Sequence, residues 1–126
     1  MRKLKVLLVD DNPAFLKTAR DLLAAMPCVA SVDCAASGAD ALGDLGELNP
    51  DLMLTDLVMP GMSGFELMRK TRVRALPPRI MAVTLHDGPE FRTAALRCGA
   101  DGFIAKREFG VVARELLAHL ADPDDA

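Results

Sequence analysis

Five times along this chain a short apolar run is followed by a longer amphipathic segment, and that alternation limits the fold more than any other feature. Residues 5–9, 29–35, 52–55, 79–84 and 102–105 read as strands, and residues 13–26, 39–48, 64–74, 90–98 and 109–120 read as helices. The first, third and fourth runs are apolar almost throughout, as parallel strands covered on both faces must be. The second mixes Ser31 and Asp33 with Val32 and Cys34, which suits an edge position. Repeated strand–helix units with right-handed crossovers give an α/β fold, an open doubly wound parallel sheet with helices on both faces. At 126 residues the chain has room for one such domain.

Local signals sharpen the helices. Asn12 is placed to cap the first one and Pro13 is preset for its first turn, with Phe15, Ala19, Leu22, Leu23 and Met26 on one face before Pro27 stops it. The helix over 39–48 is the weakest, because Gly43 and Gly46 each cost about 1 kcal/mol relative to alanine. Gly99 stands where a glycine would close the fourth helix.

Composition removes several function classes. Aromatic residues are 4% of the chain and all are Phe, so the core is expected to be aliphatic, and the composition argues against a base-stacking platform for single strands. A net charge of −3 argues against a binder of the nucleic-acid backbone. No apolar run approaches the roughly 20 residues of a membrane span. The basic start Met1-Arg2-Lys3 resembles an export signal, but Val6-Leu7-Leu8-Val9 meets Asp10-Asp11 too early for its apolar region. Cys28, Cys34 and Cys98 are odd in number and match no metal spacing, so they read as small hydrophobes in a reducing cytoplasm.

In an open parallel sheet the usable crevice lies beyond the carboxyl ends of the strands. Those ends carry Asp10 and Asp11 after the first strand, Asp56 after the third, Thr84 on the fourth and Lys106 after the fifth. Each alone has a plain structural explanation: helix capping, a turn, a strand threonine, a solvated lysine. Together they are harder to dismiss. Two carboxylates about 4 Å apart repel by about 4 kcal/mol at an effective dielectric near 20, and a third adds to this. Such a cluster needs a cation, and oxygen ligands with positions left for water suit Mg²⁺, or Mn²⁺ in its place. A lysine charge and a threonine donor complete what is needed to hold a phosphoryl group on an aspartate.

The motifs Val6-Leu7-Leu8-Val9-Asp10-Asp11-Asn12, Pro50-Asp51-Leu52-Met53-Leu54-Thr55-Asp56-Leu57-Val58-Met59-Pro60-Gly61-Met62-Ser63-Gly64, Ala82-Val83-Thr84 and Gly99-Ala100-Asp101-Gly102-Phe103-Ile104-Ala105-Lys106 occur in that order. With them the chain resembles the receiver domains of bacterial two-component response regulators over residues 4–120. The resemblance implies a flavodoxin-like (βα)5 sheet of strand order 2-1-3-4-5. It implies a receiver over residues 1–121 and an acidic tail or linker stub over 122–126, Asp122-Pro123-Asp124-Asp125-Ala126.

By the same resemblance Asp56 is the phosphoacceptor. Asp10, Asp11, Asp56 and the backbone carbonyl of Val58 hold Mg²⁺, Asp11 directly and Asp10 partly through water. Thr84 and Lys106 contact the phosphoryl oxygens, and Thr84 and Phe103 form the switch. His86, two residues past Thr84, is read as tuning water access to the pocket; neither it nor His119 lies in a phosphohistidine motif. The implied partners are a sensor histidine kinase or phosphotransfer protein and a downstream protein or output domain, with homodimerisation on phosphorylation compatible, and no nucleic acid or membrane bound by this domain. Many receivers carry a proline after the lysine, whereas Arg107 follows here, so a trans peptide is expected. That feature and Thr84-Leu85-His86-Asp87 look closest to receivers of LuxR-type regulators. With no output domain in these residues, the chain reads as a single-domain regulator or as a receiver cut from a longer protein. An aspartyl-phosphate hydrolase would want a second acid where Val58 stands, and a flavin module would want a Ser/Thr-rich loop in place of Asp10-Asp11-Asn12-Pro13.

Overall fold

The chain runs β1 (Leu4–Val9), α1 (Pro13–Ala24), β2 (Val29–Ala35), α2 (Gly38–Leu48), β3 (Leu52–Thr55), α3 (Gly64–Arg72), β4 (Arg79–Thr84), α4 (Pro89–Arg97), β5 (Gly102–Ala105), a 3₁₀ turn (Lys106–Glu108) and α5 (Phe109–Ala121). A computed structural model describes residues 3–86 and 88–122. The acidic tail beyond Asp122 and the Asp87 of the fourth-strand motif lie outside the described residues.

All strand pairs are parallel and the order is β2-β1-β3-β4-β5, as expected. The polar second strand takes an edge. Period-two alternation sends successive strand side chains to two cores. Leu4, Val6, Leu8, Leu52, Leu54, Val83 and Ile104 meet α1 and α5 on one face, where Phe109, Ala113, Leu117 and Ala121 repeat every four residues along α5. Leu7, Val9, Met53, Ile80 and Ala82 meet α2, α3 and α4 on the other. Burying a Leu or Ile side chain contributes about 1.5–3 kcal/mol, so these two aliphatic layers are the main source of stability.

Caps set the helix limits. The Asn12 side chain accepts from the N–H groups of Ala14 and Phe15, and Ser37 and Ser63 do the same for Asp40 and Glu66. The weak helix α2 is closed at its other end by Asn49 in a left-handed conformation (φ 46°), whose N–H reaches Leu45 O. At the end of α4, Gly99 has φ 111°, its N–H reaches Leu96 O and that of Ala100 reaches Ala95 O, the paired bonds of a Schellman motif.

Two expectations are corrected. Helices α1 and α3 stop about two residues early, at Ala24 and Arg72, because the N–H groups of Met26 and Arg74 turn to carbonyls three residues back. Cys34 is exposed rather than buried: only Val29, Val32 and Ala35 of the edge strand β2 are covered to any degree.

Candidate functional site

Strand register assembles the site. Val9 pairs with Ala35 and with Thr55, Thr55 with Ala82, and Thr84 with Ala105, so β1, β2 and β3 end level while β4 and β5 run two residues further. Two further backbone bonds, Asp10 N to Ala35 O and Asp56 N to Val9 O, carry the ladder one residue past the strands. Asp10, Asp56, Thr84 and Lys106 therefore share one rim, although 96 positions separate the first from the last.

Oxygens of Asp10, Asp11 and Asp56 all lie within 4.8 Å of one another. Asp10 and Asp56 are buried and Asp11 is exposed, so the cluster opens to solvent on one side. Asp10 Oδ1 accepts from the Asn12 N–H at 2.8 Å, and Asp56 Oδ1 from the Leu57 N–H at 2.7 Å. The Lys106 ammonium stands 2.7 Å from Asp10 Oδ2 and 3.2 Å from Asp56 Oδ2. Asp10 Oδ2 is fully buried, and among the described residues no donor is aligned to hydrogen-bond it. Its contact with Lys106 is an ion pair without hydrogen-bond direction.

Burial pushes the Asp10 carboxyl above its ordinary range; Lys106 and the Asn12 N–H oppose that and the Asp56 charge adds to it. Burial alone would lower Lys106, yet its pairing with Asp10 and Asp56 more than reverses this and holds it above its ordinary value. One ammonium thus stays charged while sharing two carboxylates. Three carboxylates within reach of one another, one of them open to solvent, form an oxygen-only donor set that fits a divalent cation.

Thr84 is fully buried, its hydroxyl accepting from the His86 N–H at 3.0 Å. The exposed His86 ring stacks on Phe91 of α4, with centroids 5.1 Å apart. Phe103 is half-buried beneath the Arg92 guanidinium, 5.0 Å from its ring centroid. Val58, half exposed, lies in the loop beyond Asp56, and the Lys106–Arg107 peptide is trans. His119 sits in the last turn of α5, away from this rim.

Sequence reasoning missed two contributors. Gly64 lets α3 start against the Asp56 backbone: a Cβ there would fall 1.8 Å from Asp56 O. Phe15, read as core, faces the Lys106 ammonium 4.6 Å from its ring centroid. The first had a visible signal, a glycine at the opening of a helix; the second had none beyond its place on the apolar stripe.

Fold and rim together define a doubly wound α/β domain with an acidic, cation-fitting pocket at its strand ends. Residues 6–120 match the response regulator receiver domain family, and the chain belongs to it as a receiver domain of two-component signalling. The nitrate/nitrite response regulator protein NarL of Escherichia coli is 36% identical over 101 residues, covering 80% of this chain and 47% of NarL. The chain thus spans about half or less of the curated relatives it matches. The receiver domain of NarL from Mycobacterium tuberculosis superposes with a TM-score of 0.88 at 31% identity, covering 96% of this chain and 98% of that one. A LuxR-family response regulator from Aurantimonas superposes at 0.85 with 31% identity, covering 98% and 92%. Among the described residues no helix is long and apolar enough to cross a membrane.

Proposed function

We propose that Asp56 is the phosphoacceptor of this receiver and that residues 1–121 form the signalling body. The observation that carries this is the setting of its carboxylate. One oxygen is oriented by the Leu57 N–H, the other faces Lys106, and the acids of Asp10 and Asp11 stand beside it. One Asp56 oxygen bonds to phosphorus as the bond from phosphorus to the imidazole nitrogen of a phosphohistidine donor breaks; solvent returns a proton to that imidazole. Lys106 pairs with phosphoryl oxygens, and the Thr84 hydroxyl donates to one. Asp10, Asp11, Asp56 and the Val58 carbonyl would hold Mg²⁺ or Mn²⁺, which when bound would neutralise charge on the transferring group.

The donor is a sensor histidine kinase or phosphotransfer protein, and the reader is a downstream protein, a second copy or an output domain on the same polypeptide. Catalysis by this domain is limited to its own phosphorylation and dephosphorylation, with His86 tuning water access. Three cysteines without disulfides suit a reducing cytoplasm. Acetyl phosphate with Mg²⁺ should add one phosphoryl group, read by intact mass, that is absent in Asp56→Asn and with a chelator. Labelling of Asp56→Asn at the wild-type rate would overturn the assignment.

A further inference from the structure

Three groups crowd the Lys106 ammonium: Asp10 Oδ2, Asp56 Oδ2 and the ring of Phe15. The carboxylates come from strand ends, but Phe15 comes from the first turn of α1, where its N–H is held by the Asn12 cap at 3.3 Å. The ring is braced behind by an edge-on contact with buried Phe109, centroids 5.4 Å apart at 74°. Lys106 opens the 3₁₀ turn and Phe109 follows it, so both ends of that turn grip one ring.

The chemistry favours a ring in that place. A lysine side chain is long and freely rotating, and two carboxylates on one side leave its charge free to swing. A third acid would hold the ammonium but repel an incoming phosphoryl group. An aromatic face attracts the cation through its quadrupole and adds no net charge. It also covers a side of the ammonium from water, consistent with a side chain only 9% exposed.

We propose that Phe15 is a positioning residue for phosphoryl acceptance: its ring face holds the Lys106 ammonium over Asp10 and Asp56, ordered before the phosphoryl group arrives. This deepens the reading of Asp56 as phosphoacceptor and rests on it. The ring touches neither phosphoryl group nor metal, and acts through Lys106.

The test compares Phe15→Leu and Phe15→Met, which keep apolar bulk without a π face, with Phe15→Tyr, which keeps the face. Two quantities are read: the rate of Asp56 labelling by acetyl phosphate at saturating Mg²⁺, and the ¹H–¹⁵N resonance of the Lys106 ammonium. Melting curves establish that each variant is folded. Leu and Met should slow labelling about three- to tenfold and abolish the ring-current displacement of the ammonium signal, and Tyr should restore both. Rates within twofold of wild type in Leu and Met, or a Tyr variant as slow as Leu, would overturn the proposal. An ammonium signal unmoved in Phe15→Leu while the wild type labels normally would overturn it and leave the phosphoacceptor reading intact. A wild type that takes no phosphate, its ammonium signal displaced all the same, would instead overturn the phosphoacceptor reading and this proposal with it.

Discussion

The hydroxyl of Thr84 accepts a hydrogen bond from the backbone N–H of His86, 3.0 Å away, and ties the end of β4 to the loop entering α4. Accepting leaves the hydroxyl proton free to donate. The His86 ring in turn stacks on Phe91, in the first turn of α4. A pull on Thr84 is therefore a pull on α4 through two contacts.

The first prediction follows from that linkage. Thr84→Ala should still accept phosphate on Asp56 but pass little of the change to α4. Hydrogen exchange over residues 84–106, with and without beryllofluoride, should respond in wild type and be nearly flat in the mutant. An unaltered mutant response would remove Thr84 from transmission.

Opposite stability effects are expected at the two ends of the ion pair. The Asp10 pKa is raised in the fold, so its contribution favours folding below its ordinary 3.8 and is lost as pH rises through the folded value. At neutral pH its charge is a net destabiliser. Asp10→Asn in metal-free buffer should raise Tm by about 2–5 °C, with Lys106 still paired to Asp56. Lys106 is also raised, so its stabilisation is complete below its ordinary 10.5 and is lost above it. Lys106→Met should cost about 3–5 kcal/mol at neutral pH, by leaving two buried carboxylates without their cation. Thermal melts across pH check both signs.

Mg²⁺ should stabilise the wild type by linkage, about 2.7 kcal/mol at a hundred times its Kd. The gain should be larger in Lys106→Met, where no ammonium competes to neutralise the acids, and small in Asp11→Asn. A Tm indifferent to Mg²⁺ in all three would count against the acidic pocket as a cation site.

Most of this fold was legible because its strands are short and its central ones are covered on both faces. The runs at 29–35, 52–55, 79–84 and 102–105 keep their bounds in the structure, the first of them as a polar edge strand. Helix ends were less so: the apolar stripe of α3 carries no mark of its end at Arg72, which is set where the Arg74 N–H turns to Thr71 O. The turn over Lys106–Glu108 is too short to show a period. At the site, Asp10, Asp56, Thr84 and Lys106 were readable from strand ends, because register is a property of the sheet. The Phe15–Lys106 contact was not, since a stripe residue that reaches an ammonium and one that fills the core share a pattern.

Two glycines should respond oppositely to the same change. Gly43 of α2 has nothing within 4 Å of an added Cβ, so Gly43→Ala should stabilise by about 0.5–1 kcal/mol. Gly64→Ala must displace the Asp56 carbonyl, so it should destabilise by several kcal/mol or slow Asp56 labelling in whatever folds. Urea melts of both variants decide it; a harmless Gly64→Ala would mean that α3 can shift without disturbing Asp56.

Arg92 and Phe103 supply the last prediction. The guanidinium lies 5.0 Å from the ring centroid, on the same helix whose Phe91 holds His86. If Phe103 turns inward as Thr84 is drawn toward a phosphoryl group, it must leave Arg92. A cation–π contact at a half-exposed site contributes about 0.5–1 kcal/mol. Removing it shifts a two-state equilibrium by about two- to fivefold and cannot by itself complete the switch, which needs a far larger bias. Arg92→Leu should therefore raise beryllofluoride affinity about two- to fivefold. It should also increase the inward population of Phe103 without beryllofluoride. Fluorine NMR on fluorophenylalanine reads both, because the chain has 5 Phe and Phe103→Leu identifies the resonance. Unchanged affinity and an unmoved resonance in Arg92→Leu would mean that the guanidinium does not restrain the ring.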